Sequence, residues 1–75
     1  MERYRCLGCH EEKFMVEVDE LFNNGSSRYE VRGYTREPVT GKFKEEMRIP
    51  AKTEHQMRLY FQGMIKIMRG HVEPE

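Results

Sequence analysis

"TEHQMRLYFQGMIKIMRG", Thr53 to Gly70, decides the fold, because it carries the clearest secondary-structure signal in the chain. It begins as a capping box, in which the Thr53 hydroxyl and the Gln56 side chain accept hydrogen bonds from backbone N–H groups. Apolar residues follow at the spacing of one helical face; they are Met57, Tyr60, Phe61, Met64, Ile65 and Met68. The opposite face is basic and carries Arg58, Gln62, Lys66 and Arg69. We predict an amphipathic helix that Gly70 ends as a C-terminal cap.

A helix with one apolar face needs a second apolar layer, and the rest of the chain predicts a sheet. Apolar and polar side chains alternate along three segments, as they do in half-buried strands. The segments are 13–22 "KFMVEVDELF", 28–35 "RYEVRGYT" and 42–49 "KFKEEMRI", and a shorter strand is expected at 2–7 "ERYRCL". Turn-forming residues at 23–27 and in "EPVTGK" separate the three segments, which favours antiparallel hairpins.

We therefore predict an α+β fold, a small antiparallel β-sheet of three to four strands packed on one C-terminal amphipathic helix. Residues 1–70 are expected to form a single compact domain, followed by a flexible acidic tail at 71–75. In the last strand, Phe43, Glu45, Met47 and Ile49 are expected on one face. Glu45 would interrupt that apolar row near an open edge.

Length and composition bound the class of protein. A chain of 75 residues forms one domain with a small core, which a metal, a disulfide or a partner subunit can supplement. Its content of 37% hydrophobic residues, with eight aromatic rings among them, favours a folded domain over a disordered one. The sequence shows neither an apolar run of roughly 18 residues nor a signal peptide. We therefore expect a cytoplasmic protein, in which cysteines serve mainly as thiols or metal ligands.

The stretch "RCLGCHEEK" (5–13) contains the pattern C-x-x-C-H. We interpret it as a tight turn between two strands, in which Gly8 lets the sulfurs of Cys6 and Cys9 point at one zinc ion. His10 is a third candidate ligand. Since the chain has no third cysteine, a complete site would need an acidic side chain, water or a second molecule. We expect that any zinc depends on a second molecule.

Other interpretations of the two cysteines stay open. Ordinary thiols beside a histidine fit the sequence as well as zinc does. C-x-x-C-H is also the c-type haem attachment motif, which requires an export signal. A thioredoxin-like redox pair would open a helix after a strand, and a structural disulfide is uncommon in a reducing compartment.

The net charge of zero hides an uneven distribution along the chain. Residues 26–70 carry ten basic and five acidic side chains, a net charge of +5, whereas residues 1–25 carry three basic and six acidic ones, a net charge of −3. A basic face of the predicted sheet could bind DNA or RNA, because cations fix phosphates and aromatic rings stack on bases. The candidate nucleic-acid-binding residues are Arg32, Tyr34, Arg36, Lys42, Lys44 and Arg48. Alternatively, Glu30 and Glu46 pair with these cations on an ordinary solvated face.

Two stretches of the chain resemble known families. In residues 4–49, "YRCLGC" is similar to the first knuckle of a zinc ribbon, with "REPVTGK" where the second knuckle would lie. In residues 29–69, "YEVRGYTREPVTGKFKEEMRIPAKTEHQMRLYF" resembles the arm-type DNA-binding domain of phage and transposon integrases. That resemblance implies a sheet face that reads the DNA major groove through Arg32, Arg36, Lys42, Lys44 and Arg48.

The sequence favours a binding protein over an enzyme. It shows no Ser-His-Asp arrangement, no paired carboxylates and no phosphate-binding loop. We expect a nucleic-acid-associated regulatory module of phage or mobile-element type. The alternative is an adaptor or inhibitor that occupies the surface of a host or partner protein, for example as a homodimer. Six methionines and four tyrosines suit that alternative, because such side chains are favoured at interfaces.

Overall fold

Four strands and one helix follow one another in the computed structural model, which describes the backbone of residues 2–72 and the side chains of residues 7–72. The elements are β1 (Glu2–His10), β2 (Phe14–Asn23), β3 (Ser26–Arg36), β4 (Phe43–Ala51) and α1 (Glu54–Val72). The strands form one antiparallel sheet in the order β1-β2-β3-β4, and α1 packs on one face, mainly against β2 and β3. The predicted α+β fold is confirmed, with four strands in the sheet.

The β2–β3 connection is a tight hairpin turn. Asn24 and Gly25 both have positive φ, 53° and 78°, as the two-residue turns that match strand twist require. This turn fixes the register in which Asp19 lies opposite Glu30 and Glu17 lies opposite Arg32. The side chains of these four residues lie on the face away from the helix, which is called the open face below.

The core lies between α1 and the opposite face of the sheet. The predicted alternation of β2 is confirmed, since Phe14, Val16 and Val18 are almost completely buried. The other buried core residues are Val31, Ala51, Met57, Phe61, Met64 and Met68. Helix and sheet approach closely at Gly33, where an added Cβ would lie 2.8 Å from Sδ of Met68. A larger residue at that position would therefore force the side chains of Met64 and Met68 to shift.

The helix begins as predicted and ends later than predicted. The Gln56 backbone N–H donates to Oγ1 of Thr53 at 3.1 Å, and the Lys52 N–H donates to Oε1 of Gln56 at 3.1 Å. Gly70 does not cap the helix, because α1 continues through it to Val72, which packs against the core. The packing of Val72 stabilises the helical conformation beyond Gly70. The predicted tail at 71–75 thus begins with helical residues, and positions 73–75 lie outside the described residues.

A β-bulge in β4 changes the predicted faces of that strand. Gly33 lies opposite Met47, whereas Tyr34 lies opposite Glu45, so Glu46 is the extra residue. Met47 and Ile49 face the core as expected. The prediction that Phe43 and Glu45 share the face of Met47 and Ile49 was wrong, because the bulge reverses the alternation of side chains in the first part of β4. Both side chains lie on the open face.

Candidate functional site

The open face divides into two regions with different surroundings. Its centre comprises Asp19, Glu30, Arg32, Glu45 and Arg48. Its loop end, where the β1–β2 turn and the β3–β4 loop lie, comprises His10, Tyr34, Arg36 and Phe43, together with Lys42 in the loop and Lys44 at the sheet edge. Lys44 lies opposite Thr35, between Phe43 and Glu45 in β4, so its side chain points to the helix side of the sheet. Five of the six predicted nucleic-acid-binding side chains, all except Tyr34, are cations, and the strand register distributes them over both regions.

Arg32 lies in the middle of the centre and is surrounded by carboxylates. Its Nη2 lies 2.9 Å from Oε2 of Glu30, and its Nη1 lies 3.6 Å from Oδ2 of Asp19. A third carboxylate, that of Glu45, lies 3.7 Å from Nε. Only 12% of the Arg32 side chain is exposed. The guanidinium is therefore a structural group that holds β2, β3 and β4 together.

The electrostatics of Arg32 follow from this environment. Burial alone would lower the pKa of Arg32, because it disfavours the charged form. Hydrogen bonds to Glu30 and Tyr34 and the charge of Asp19 outweigh burial, so the pKa is raised above its ordinary value. The guanidinium consequently stays protonated at every pH at which a protein of this kind is studied.

Arg48 shares the same carboxylates. Its Nη2 lies 3.1 Å from Oε2 of Glu45, and its Nε lies 3.7 Å from Oε2 of Glu30. Among the side chains of residues 7–72, two guanidinium groups thus face three carboxylates in the centre, a net charge of −1. The expectation that Glu30 pairs with the sheet cations is confirmed, whereas Glu46 instead accepts a hydrogen bond from Oγ1 of Thr35 at 2.9 Å. The centre does not present the basic surface that the sequence predicted.

The loop end holds the cations that keep their charge exposed. Arg36, Lys42 and Lys44 have exposed side chains, and none of them forms an ion pair with a carboxylate among the side chains of residues 7–72. Nε of Arg36 donates to the carbonyl oxygen of Gly41 at 3.2 Å, which leaves its charge uncompensated. Gly41, at a φ of 72°, accepts the left-handed conformation that closes the β3–β4 loop.

Aromatic rings lie beside these cations. The rings of His10 and Phe43 meet edge to face on the open face, with centroids 5.1 Å apart and an interplanar angle of 62°. Tyr34 lies on the same face, opposite Met15 of β2. His10 was predicted only as a metal ligand, and Phe43 was not among the predicted site residues. The bulge at Glu46 brings Phe43 to this face, and the sequence carries no clear signal for that bulge.

A cleft of about 690 Å³ opens on the helix side of the loop end. Its lining includes two cations, Lys13 and Arg36, and two carboxylates, Glu12 and Glu37. Because these charges balance, the cleft itself does not favour an anionic ligand. Lys42 and Lys44 do not line the cleft.

The two predicted metal ligands whose side chains the structure describes, Cys9 and His10, are not brought together. Cys9 lies opposite Val16 and packs with Leu7 against the core, whereas His10 lies opposite Met15 on the open face. The interpretation of 6–9 as a tight turn was wrong, because β1 pairs with β2 through His10 and the reversal comes only at 11–13.

Neighbouring residues of a strand point to opposite faces, so Cys9 and His10 do not share one ion. The backbone register skips Cys6, between Arg5 and Leu7, and the Cys6 side chain lies outside the described residues. Among the described side chains, no group of three or more His, Cys, Asp or Glu residues could hold a metal. Zinc stays a prediction that depends on Cys6 or on a second molecule.

Comparisons with known proteins add no family. The chain matches no protein-family model, and comparisons with curated proteins and with solved structures give no significant match. The resemblances to zinc ribbons and to integrase arm domains therefore stay predictions. The described part of the chain contains no helix that is long and apolar enough to cross a membrane.

Proposed function

We propose that this protein is a cytoplasmic nucleic-acid-binding module that holds single strands of DNA or RNA at the loop end of its open face. Arg36, Lys42 and Lys44 contact phosphates, and the rings of Tyr34 and Phe43 stack on bases. The observation that supports the proposal is that Tyr34, Arg36 and Phe43 share one end of the face that the helix leaves uncovered, with Lys42 and Lys44 next to them. Among the side chains of residues 7–72, these three cations form no ion pair. Proteins that bind single strands usually combine cations with aromatic side chains on which bases stack.

The centre of the open face has a smaller role in this proposal. A phosphate that approached Arg32 or Arg48 would have to compete with carboxylates at 2.9 to 3.7 Å. It would also meet the net negative charge of these described side chains. Of the six predicted binding residues, the four at the loop end therefore bind nucleic acid in this proposal: Tyr34, Arg36, Lys42 and Lys44. Arg32 and Arg48 instead stabilise the sheet.

Single strands suit the loop end better than a duplex does. In a duplex, the faces of the bases are covered by their stacked neighbours, whereas an unpaired base can lie on an exposed ring. The resemblance to integrase arm domains supports DNA and a regulatory role of phage or mobile-element type. Because Arg36, Lys42 and Lys44 would displace counterions from phosphates, we expect an affinity that falls with salt.

Fluorescence anisotropy with labelled oligothymidine, oligouridine and a duplex of the same length tests the proposal. At low salt, we expect both single strands to bind and the duplex to bind more weakly. Failure of all three to bind at low salt would contradict the proposal. Tighter binding of the duplex would show that the rings do not act as stacking platforms.

Protein binding, as an adaptor or inhibitor, is the second candidate function. The observation that favours it is that Leu59 and Ile67, on the outer side of α1, are 58% and 49% exposed. A protein ligand at this position would bury both side chains. Isothermal titration with a candidate partner should then lose its signal with Leu59→Glu and keep it with Val39→Glu, since Val39 is exposed on a different surface.

A further inference from the structure

One side of α1 is free of charged groups and partly uncovered. With 3.6 residues per turn, six residues share this side, which is called the uncharged helix flank: Gln56, Leu59, Tyr60, Gly63, Ile67 and Gly70. The other side of the helix carries Arg69, which lies 3.5 Å from Oε1 of Glu11 and over the ring of Phe14. That basic side therefore faces the β1–β2 turn, and the uncharged helix flank lies on the β4 side.

Gly63, in the middle of this flank, is not required by the packing of the single chain. A Cβ at Gly63 would meet no atom within 4 Å, and its φ is not in the left-handed region. Glycine is nevertheless among the least favourable residues in a helix interior. A close contact with a second helix would explain the glycine, because only the absence of a side chain lets two helix backbones approach closely.

The arrangement about Gly63 is self-complementary. Leu59 lies four residues before it and Ile67 four residues after it, on the same side of the helix. If two helices cross antiparallel at Gly63, Leu59 of each copy lies against Ile67 of the other, and Gln56 lies near Gly70. A two-fold axis requires this kind of reciprocal match. The flank carries no charge and the chain has a net charge of zero, so two copies do not repel each other.

The edge of β4 is a less favourable surface for a homodimer. β4 contains the bulge at Glu46, and both Lys44 and Pro50 lie in it. Bulges, lysines and prolines are the features by which edge strands avoid pairing with another sheet. An edge-to-edge homodimer through β4 is thus opposed by the strand, whereas nothing on the uncharged helix flank opposes a helix contact.

We propose that the uncharged helix flank is the interface of a homodimer, in which two copies pack their α1 helices antiparallel about a two-fold axis at Gly63. The partner is a second copy of this chain. This surface is separate from the loop end, so the dimer stands or falls independently of nucleic-acid binding.

Sedimentation velocity over a range of concentrations tests the dimer. The wild-type chain should sediment as a dimer. Leu59→Glu and Ile67→Glu should each raise the dimer dissociation constant by at least about tenfold, because each places two carboxylates per dimer in an apolar contact. Val39→Glu, at a side chain that is 94% exposed on the β3–β4 loop, is the matched control and should leave the dimer unchanged. Circular dichroism checks that the variants stay folded.

Cross-linking gives a second, geometric test. The double variant Leu59→Cys with Ile67→Cys should form disulfide-linked dimers under mild oxidation much faster than the wild-type chain with its own two cysteines, because the axis places Leu59 of one copy against Ile67 of the other. Val39→Cys should not. A wild-type monomer at all concentrations, a dimer that Ile67→Glu leaves intact, or a monomer that uses the flank for a different protein would overturn the proposal.

Discussion

The centre and the loop end of the open face carry cations that look alike in the sequence and differ in the structure. Arg32 and Arg48 lie among three carboxylates of β2, β3 and β4, whereas Arg36, Lys42 and Lys44 have exposed charges and no such partner among the side chains of residues 7–72. Cross-strand neighbours make the difference, since pairing places acidic residues beside the first set only. A count of basic residues along a strand therefore overestimates a binding surface, because paired cations support the sheet and unpaired ones are available to a ligand.

The largest effect is expected at the centre, on stability. Arg32→Leu should lower the free energy of unfolding by about 3 kcal/mol, because it leaves the nearly buried carboxylate of Asp19 without this cation. Arg48→Leu is the control, since its side chain is 51% exposed, and it should cost less than about 1 kcal/mol. Urea unfolding measures both. Equal effects of the two substitutions would remove the distinction between a structural and a peripheral arginine.

The next effect is expected at the loop end, on binding. Phe43→Leu should weaken single-strand binding by about tenfold, because the loss of one stacked base costs roughly 1–3 kcal/mol. The fold should be retained, since Phe43 is only half-buried and does not belong to the core. Val39→Ala, in the adjoining loop, is the matched control in the anisotropy assay. Unchanged affinity for Phe43→Leu would show that the ring does not stack on a base.

A smaller effect is expected from single lysines. Lys42→Ser and Lys44→Ser should each reduce the slope of log affinity against log salt by about 0.7, the value for one phosphate contact on a single strand. Lys52→Ser is the control, because Lys52 is equally exposed but precedes the helix, away from the loop end. If Lys52→Ser lowers the slope as much as the others do, binding follows total charge and not the loop end.

The smallest effect, and one of opposite sign, is expected from Glu45→Gln. This substitution removes a carboxylate that Arg48 contacts at 3.1 Å and gives the centre a net charge of zero. The released Arg48 should then contact a phosphate, which would strengthen binding slightly and steepen its salt dependence. Weaker binding would mean that the carboxylates of the centre assist the ligand instead of competing with it.

The elements of the fold are largely predictable from the sequence, because each has a local signal. The capping residues and apolar spacing after Thr53 predict α1, and alternation predicts β2 and β3. The bulge at Glu46 is not predictable in this way, since it depends on how β4 fits its neighbour. It moves Phe43 from the expected core face to the open face.

The division of the open face is only partly predictable. Asn24 and Gly25 predict a two-residue turn, and that turn already places Asp19 opposite Glu30 and Glu17 opposite Arg32. This register therefore predicts an acidic environment for Arg32. The distances that pair Arg48 with Glu45 depend on the bulge, so they are not available from the sequence.

The salt dependence of single-strand binding for two matched variants tests the central claim most directly. One variant removes the loop-end cations, Arg36→Ser with Lys42→Ser and Lys44→Ser, and the other is Arg48→Ser in the centre. We predict that the first lowers the slope of log affinity against log salt by about 2, for three lost phosphate contacts, and that the second leaves it unchanged. A slope that falls with Arg48→Ser and stays the same in the loop-end variant would contradict the account.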